Sequence, residues 1–69
     1  MSTTYRTTVR SWRHNEEEVF INDTLHNSMF QAELIADVDD QIIVDEVIQD
    51  ASGQYELVYP VLEYVKEAD

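Results

Sequence analysis

Apolar and polar residues alternate along most of this 69-residue chain, and the alternation predicts strands. In TTYRTTVRSWRH (residues 3–14), Tyr5, Thr7 and Val9 line one face, and Arg6, Thr8, Arg10 and Trp12 line the other. A polar connection, His14 to Glu18, leads to VFINDTL as a second strand, with a turn expected over 26–28. QIIVDEVIQ (41–49) is rich in β-branched residues and reads as a strand. Asp50-Ala51-Ser52-Gly53 is the clearest turn, with Asp suited to its first position and Gly to a following positive φ. YELVYPVLEYV (55–65) continues as a strand, with Tyr55, Leu57, Tyr59 and Val61 on one face. Pro60 lacks a ladder donor, so that strand lies at an edge, bends, or gives way to a short helix at Pro60.

Residues 28–38 fit two patterns. As a strand, Phe30, Ala32, Leu34, Ala36 and Val38 share a face, opposite Gln31, Glu33, Asp37 and Asp39. As a helix, Ser28 and Gln31 form a capping box, and Phe30, Leu34 and Val38 recur every fourth residue. The alternation accounts for more positions and favours the strand. The expected fold is a single mainly β domain over residues 1–69. It is an antiparallel meander of four to five strands, or α+β if a short helix forms at 28–38 or after Pro60.

Size sharpens this picture. A single core below roughly 70–80 residues rarely supplies more than ~3–5 kcal/mol, and small domains add disulfides, a metal or a partner subunit. The chain has no Cys, and its two His residues, His14 and His26, have no metal-ligand spacing. A homodimer is therefore expected, with Arg10 and Trp12 as candidate contacts. No cofactor or metal is expected. A calcium-loop reading starting at Asp37 fails, because Ile42 takes the place of the obligatory Gly and Ile48 that of the final Glu. There is no nucleophile elbow and no Gly-rich phosphate loop, so the chain reads as a non-enzyme. No apolar run is long enough for a membrane span and no signal-peptide core is present, so the expectation is cytoplasmic.

Charge changes the picture most. Fifteen acids oppose four bases, a formal net charge of −11. Residues 1–15 hold Arg6, Arg10 and Arg13 and no acid, whereas all the acids and Lys66 follow. A magnitude of about 2–8 already keeps a small domain soluble, and further self-repulsion costs stability. Direct nucleic-acid binding is disfavoured, and a basic partner is expected. The acids concentrate in ADVDDQIIVDEVIQD (36–50), where six carboxylates meet no base. On strands, Glu33, Asp37 and Asp39 would form a row about 6.6–6.8 Å apart. Asp40, Asp45, Glu46, Asp50 and Glu56 would add charge alongside. A solvated polar face or halophilic adaptation would also produce such acidity. A row of carboxylates, however, imitates the phosphates that a Lys/Arg-rich surface accepts.

In size, absence of Cys, acidic patterning such as ADVDDQIIVDEVIQD and absence of catalytic motifs, the chain resembles small acidic phage proteins that mimic DNA and disable host DNA-binding proteins. Inhibitors of the histone-like protein HU, restriction inhibitors and some anti-CRISPR proteins belong to that class, which has no common fold and no alignable motif. The resemblance implies a non-enzymatic inhibitor, acting in the host bacterial cytoplasm if phage-encoded. It would occupy the nucleic-acid-binding surface of a basic host protein, an HU-type protein being the narrower expectation. The alternative is an acidic interaction or assembly module that binds through an apolar strand edge, with Leu57 and Tyr59 as its test positions.

Overall fold

A computed structural model describes residues 3–68. Four strands, β1 (Thr4–Ser11), β2 (Glu16–Asn22), β3 (Gln41–Gln49) and β4 (Tyr55–Val65), form one antiparallel sheet in the order β2-β1-β3-β4. One helix, α1 (Leu25–Ile35), joins β2 to β3. The fold is mainly β, as expected, but it is not a meander. Strand β1 lies between β2 and β3, and α1 carries the chain across it.

Register sorts the side chains into two faces. Thr7 opposes Phe20 and Val44, and Val9 opposes Ile42, so these residues share the face that α1 covers. The core there comprises Val9, Ala32, Ala36, Ile42 and Val44, bordered by Tyr5, Phe20, Leu25, Met29, Val61, Leu62 and Tyr64. The odd face expected for β1 is thus the buried one. The other face carries three cross-strand rows: Ile21-Arg6-Asp45, Val19-Thr8-Ile43 and Glu17-Arg10-Gln41. None of the described elements packs over it.

Of the two patterns over 28–38, the favoured strand does not form; the helical alternative holds, as α1 up to Ile35, and the residues after it are loop. Thr24, in extended backbone, accepts a hydrogen bond from the Asn27 N–H at 3.1 Å and caps the N-terminus. The helix therefore begins a turn before the expected Ser28 capping box and absorbs the turn expected at 26–28. The residues it turns inward are Ser28 and Ala32, both fully buried, and Ala36 just beyond its end is 5% exposed. At spacing four they form one stripe of small side chains, which lets a helix lie close on a sheet. Phe30 and Leu34 point away. Strand β2 also differs from expectation. It begins at Glu16, within the presumed connection, and ends at Asn22 because Thr24 is committed to the helix cap.

No helix follows Pro60, because β4 runs through it to Val65 at the sheet edge, where a missing N–H costs least. Register shifts on either side of the Asp45–Pro60 and Glu46–Tyr59 pairs leave Val58 and Val61 as extra residues. Each shift flips the alternation, so Tyr55, Leu57, Tyr59 and Val61 do not share a face. The Asp50–Gly53 turn forms as expected: the Gly53 N–H bonds the Asp50 carbonyl at 3.0 Å, and Gly53 has φ 89°.

Candidate protein-binding surface

The acids singled out in the sequence are dispersed over several elements. Glu33 lies on α1, where it accepts a hydrogen bond from the Tyr64 hydroxyl at 2.5 Å and sits 3.7 Å from Lys66 Nζ. Asp37, Asp39 and Asp40 occupy the loop between α1 and β3. Asp39 adopts φ 77°, a conformation short polar side chains tolerate, and pairs with Arg13 at 3.2 Å. Asp40 turns inward: it is 5% exposed, and its carboxylate accepts the Asp37 N–H at 2.9 Å. It shapes the loop and is not available to a partner. The expected row of Glu33, Asp37 and Asp39 does not exist, because that segment is helix and loop.

Asp45 and Glu46 lie on opposite faces of β3. Asp45 meets Arg6 across the sheet at 3.4 Å on the open face, and Glu46 is half-buried on the helix side beside Tyr5 and Tyr59. Asp50 organises the β3–β4 turn, accepting from the Ser52 hydroxyl at 2.6 Å and from the N–H groups of Ser52 and Gln54 at 2.8 and 3.0 Å. These bonds, the Ser52 hydroxyl foremost, hold its pKa below the usual Asp value. Glu56 stands exposed on β4.

The arrangement of cations is more telling than that of the acids. Arg6–Asp45, Arg10–Glu17, Arg13–Asp39 and Lys66–Glu33 are the four ion pairs among the described residues, and together they engage all four Lys and Arg side chains. Lys66 also donates to the carbonyls of Glu33 and Ala36 at 2.7 and 2.8 Å, at the end of α1. The whole surplus of −11 is thus left without a side-chain cation to match it.

Sequence reasoning missed Glu16 and Glu18. With Asp37, Asp40 and His14 they line a cleft of about 210 Å³ between β2 and the loop after α1. Only the β1–β2 register and the path of α1 bring them there, and nothing local in the sequence signals either. Among the described residues no group of His, Asp and Glu has the arrangement of a metal site.

Arg10 and Trp12 are separated in role. Arg10 is paired with Glu17 at 3.0 Å, and Trp12, 69% exposed, lies in the β1–β2 turn with the Arg13 guanidinium 5.6 Å from its ring centre. The β3–β4 hairpin forms a second distinctive surface. β1 pairing ends at Thr4–Val47, beyond which the hairpin strands pair only with each other; around this end of the sheet Ile48, Leu57, Val58 and Tyr59 are about half exposed. Among the described residues no helix is long and apolar enough to cross a membrane. No protein-family model, curated protein or solved structure matches this chain.

Proposed function

We propose that this chain is a non-enzymatic inhibitor that mimics the charge of DNA and occupies the nucleic-acid-binding surface of a basic bacterial protein, an HU-type histone-like protein being the narrower target. The observation that carries this reading is the closure of every Lys and Arg in an internal ion pair. A Lys/Arg-rich surface approaching this molecule meets carboxylates and, among the described residues, no unpaired Lys or Arg. Binding would then release the anions held by the partner's Lys and Arg side chains and the cations held by these carboxylates, with strong salt dependence. The charge is presented as a field over edges, loop and hairpin instead of as a single row. Such a field suits a target that tolerates any DNA sequence.

The exposed Ile48, Leu57, Val58 and Tyr59 favour a second reading, an interaction module that binds through the apolar β3–β4 hairpin. A titration against a purified HU-type protein, repeated across a salt gradient and with duplex DNA as competitor, separates the two. The charge reading expects Asp37→Asn, Glu46→Gln and Glu56→Gln together to weaken binding by about tenfold or more and to flatten its salt dependence. Leu57→Asp with Tyr59→Asp should have little effect. Binding that ignores salt and the acids but collapses with the Leu57 and Tyr59 changes sinks the mimic and favours the module.

A further inference from the structure

Helix α1 is apolar on two sides. Ser28 and Ala32 are buried toward the sheet with Leu25 and Met29 partly buried beside them, while Phe30 is 62% and Leu34 70% exposed. Four residues apart, Phe30 and Leu34 form one ridge on the outward face. Ile35, the last helical residue, borders the cleft beside β2, and Val38 lies in the following loop on the side of Tyr64 and Lys66; they are 39% and 42% exposed. A helix that is apolar on both sides is ordinarily buried on both sides.

The charge around this ridge limits what can cover it. The chain is 28% charged residues, yet α1 contains one, Glu33, and Lys66 lies 3.7 Å from it. The helix itself is thus locally neutral on a molecule of net charge −11, and the nearest acids in sequence, Asp23 and Asp37, stand beyond its two ends. A basic partner is drawn to the unmatched carboxylates elsewhere and gains no charge contact here. A second acidic molecule, by contrast, can approach only where its own charge and its partner's are locally cancelled. At about 0.15 M salt, charges more than ~8 Å from the contact are largely screened, so the local balance decides.

We infer that the outward face of α1 is a self-association surface, on which Phe30 and Leu34 pack against the same residues of a second copy about a two-fold axis. Such a contact is self-complementary, residue against equivalent residue, and the fourfold ridges of two helices interleave in the commonest crossing geometry. The 11-residue helix is about 16 Å long, so the contact falls at the small end of specific interfaces and the dimer should dissociate in the micromolar range. The small core gives the association a purpose. Among the described residues six apolar side chains are buried in the monomer, and two of them are alanines. This inference is independent of the proposed target, and it places self-association on α1 instead of at Arg10 and Trp12.

Sedimentation of the full chain from about 1 to about 500 µM tests it. The expected result is a concentration-dependent shift from the 8.1 kDa monomer to a dimer. Phe30→Ser with Leu34→Ser should raise the dissociation constant at least about tenfold while leaving the circular-dichroism spectrum unchanged, since both side chains face solvent in the monomer. Val19→Thr with Ile43→Thr, on the open sheet face, should leave the dimer intact. The chain has no Cys, so Leu34→Cys introduces a single thiol that should cross-link two copies under oxidation, whereas Val19→Cys should not. That result stands even if the double variant folds poorly. Salt should preserve or tighten the dimer while loosening any basic partner, which keeps this proposal separable from the target reading. A chain that stays monomeric throughout, or a dimer lost through the sheet-face variant and kept by the helix variant, overturns the assignment.

Discussion

Ser28 shows how little of a residue's role its type reveals. It is fully buried against the sheet, and neither its hydroxyl nor that of Thr7, buried on β1, has a hydrogen-bond partner among the described residues. A buried hydroxyl without a partner costs about 1–3 kcal/mol of desolvation, and Ala is also the better helix former. Both effects have the same sign. Ser28→Ala is expected to stabilise the fold by up to about 1 kcal/mol, read as a raised urea midpoint at unchanged slope. A lowered midpoint would mean that the hydroxyl is satisfied after all. Asp40 makes the complementary point: it looks like one more surface acid in a run of acids, yet it is a buried acceptor that fixes its own loop.

At the scale of elements, the junction of α1 with β4 carries the clearest pH dependence. Burial, reinforced by the hydrogen bond to the Glu33 carboxylate, pushes the Tyr64 hydroxyl up to about 12. The folded state therefore holds this proton more tightly than the unfolded chain, whose Tyr titrates near 10. The resulting stabilisation is complete below about pH 10 and is lost as pH rises through about 12. Melting temperature should fall across that window, and Tyr64→Phe should remove part of the fall while lowering stability at pH 7. An identical alkaline slope in the variant would show that Tyr64 is not the group responsible.

Elements differed sharply in legibility. β1, β3 and the Asp50 turn were readable because alternation, β-branching and turn chemistry agree there. Residues 28–38 were not, because Phe30, Leu34 and Val38 satisfy a twofold and a fourfold repeat at once. The residues the helix buries fully are Ser28 and Ala32, which contribute almost nothing to a hydrophobic signal, and Leu25 and Met29 beside them are only partly buried. The resulting packing leaves outside Phe30 and Leu34, which both patterns would have put inside.

For the whole molecule, charge is the dominant physical fact. The chain is elongated, 39 × 23 × 17 Å, and its four ion pairs leave a surplus of −11. Added salt screens both the attractive pairs and the repulsive surplus. Exposed pairs contribute little individually, so relief of repulsion should prevail. The melting temperature is expected to rise between low and moderate NaCl, while binding to a basic partner weakens. A melting temperature that falls with NaCl would mean that the cross-strand pairs outweigh the surplus charge.

The sequence alone determined the mainly β class, the division of β1 into its two faces, the position of the hairpin turn and the sign of the molecule's field, because each depends on local pattern or on a simple count. Tertiary structure decided the rest. It set which strand lies beside which, that 25–35 is a helix resting on its small residues, and that each cation closes on an acid distant in sequence. The acids therefore became a dispersed field instead of a row. These features depend on long-range register and on helix–sheet packing, and a single chain's local periodicity carries neither.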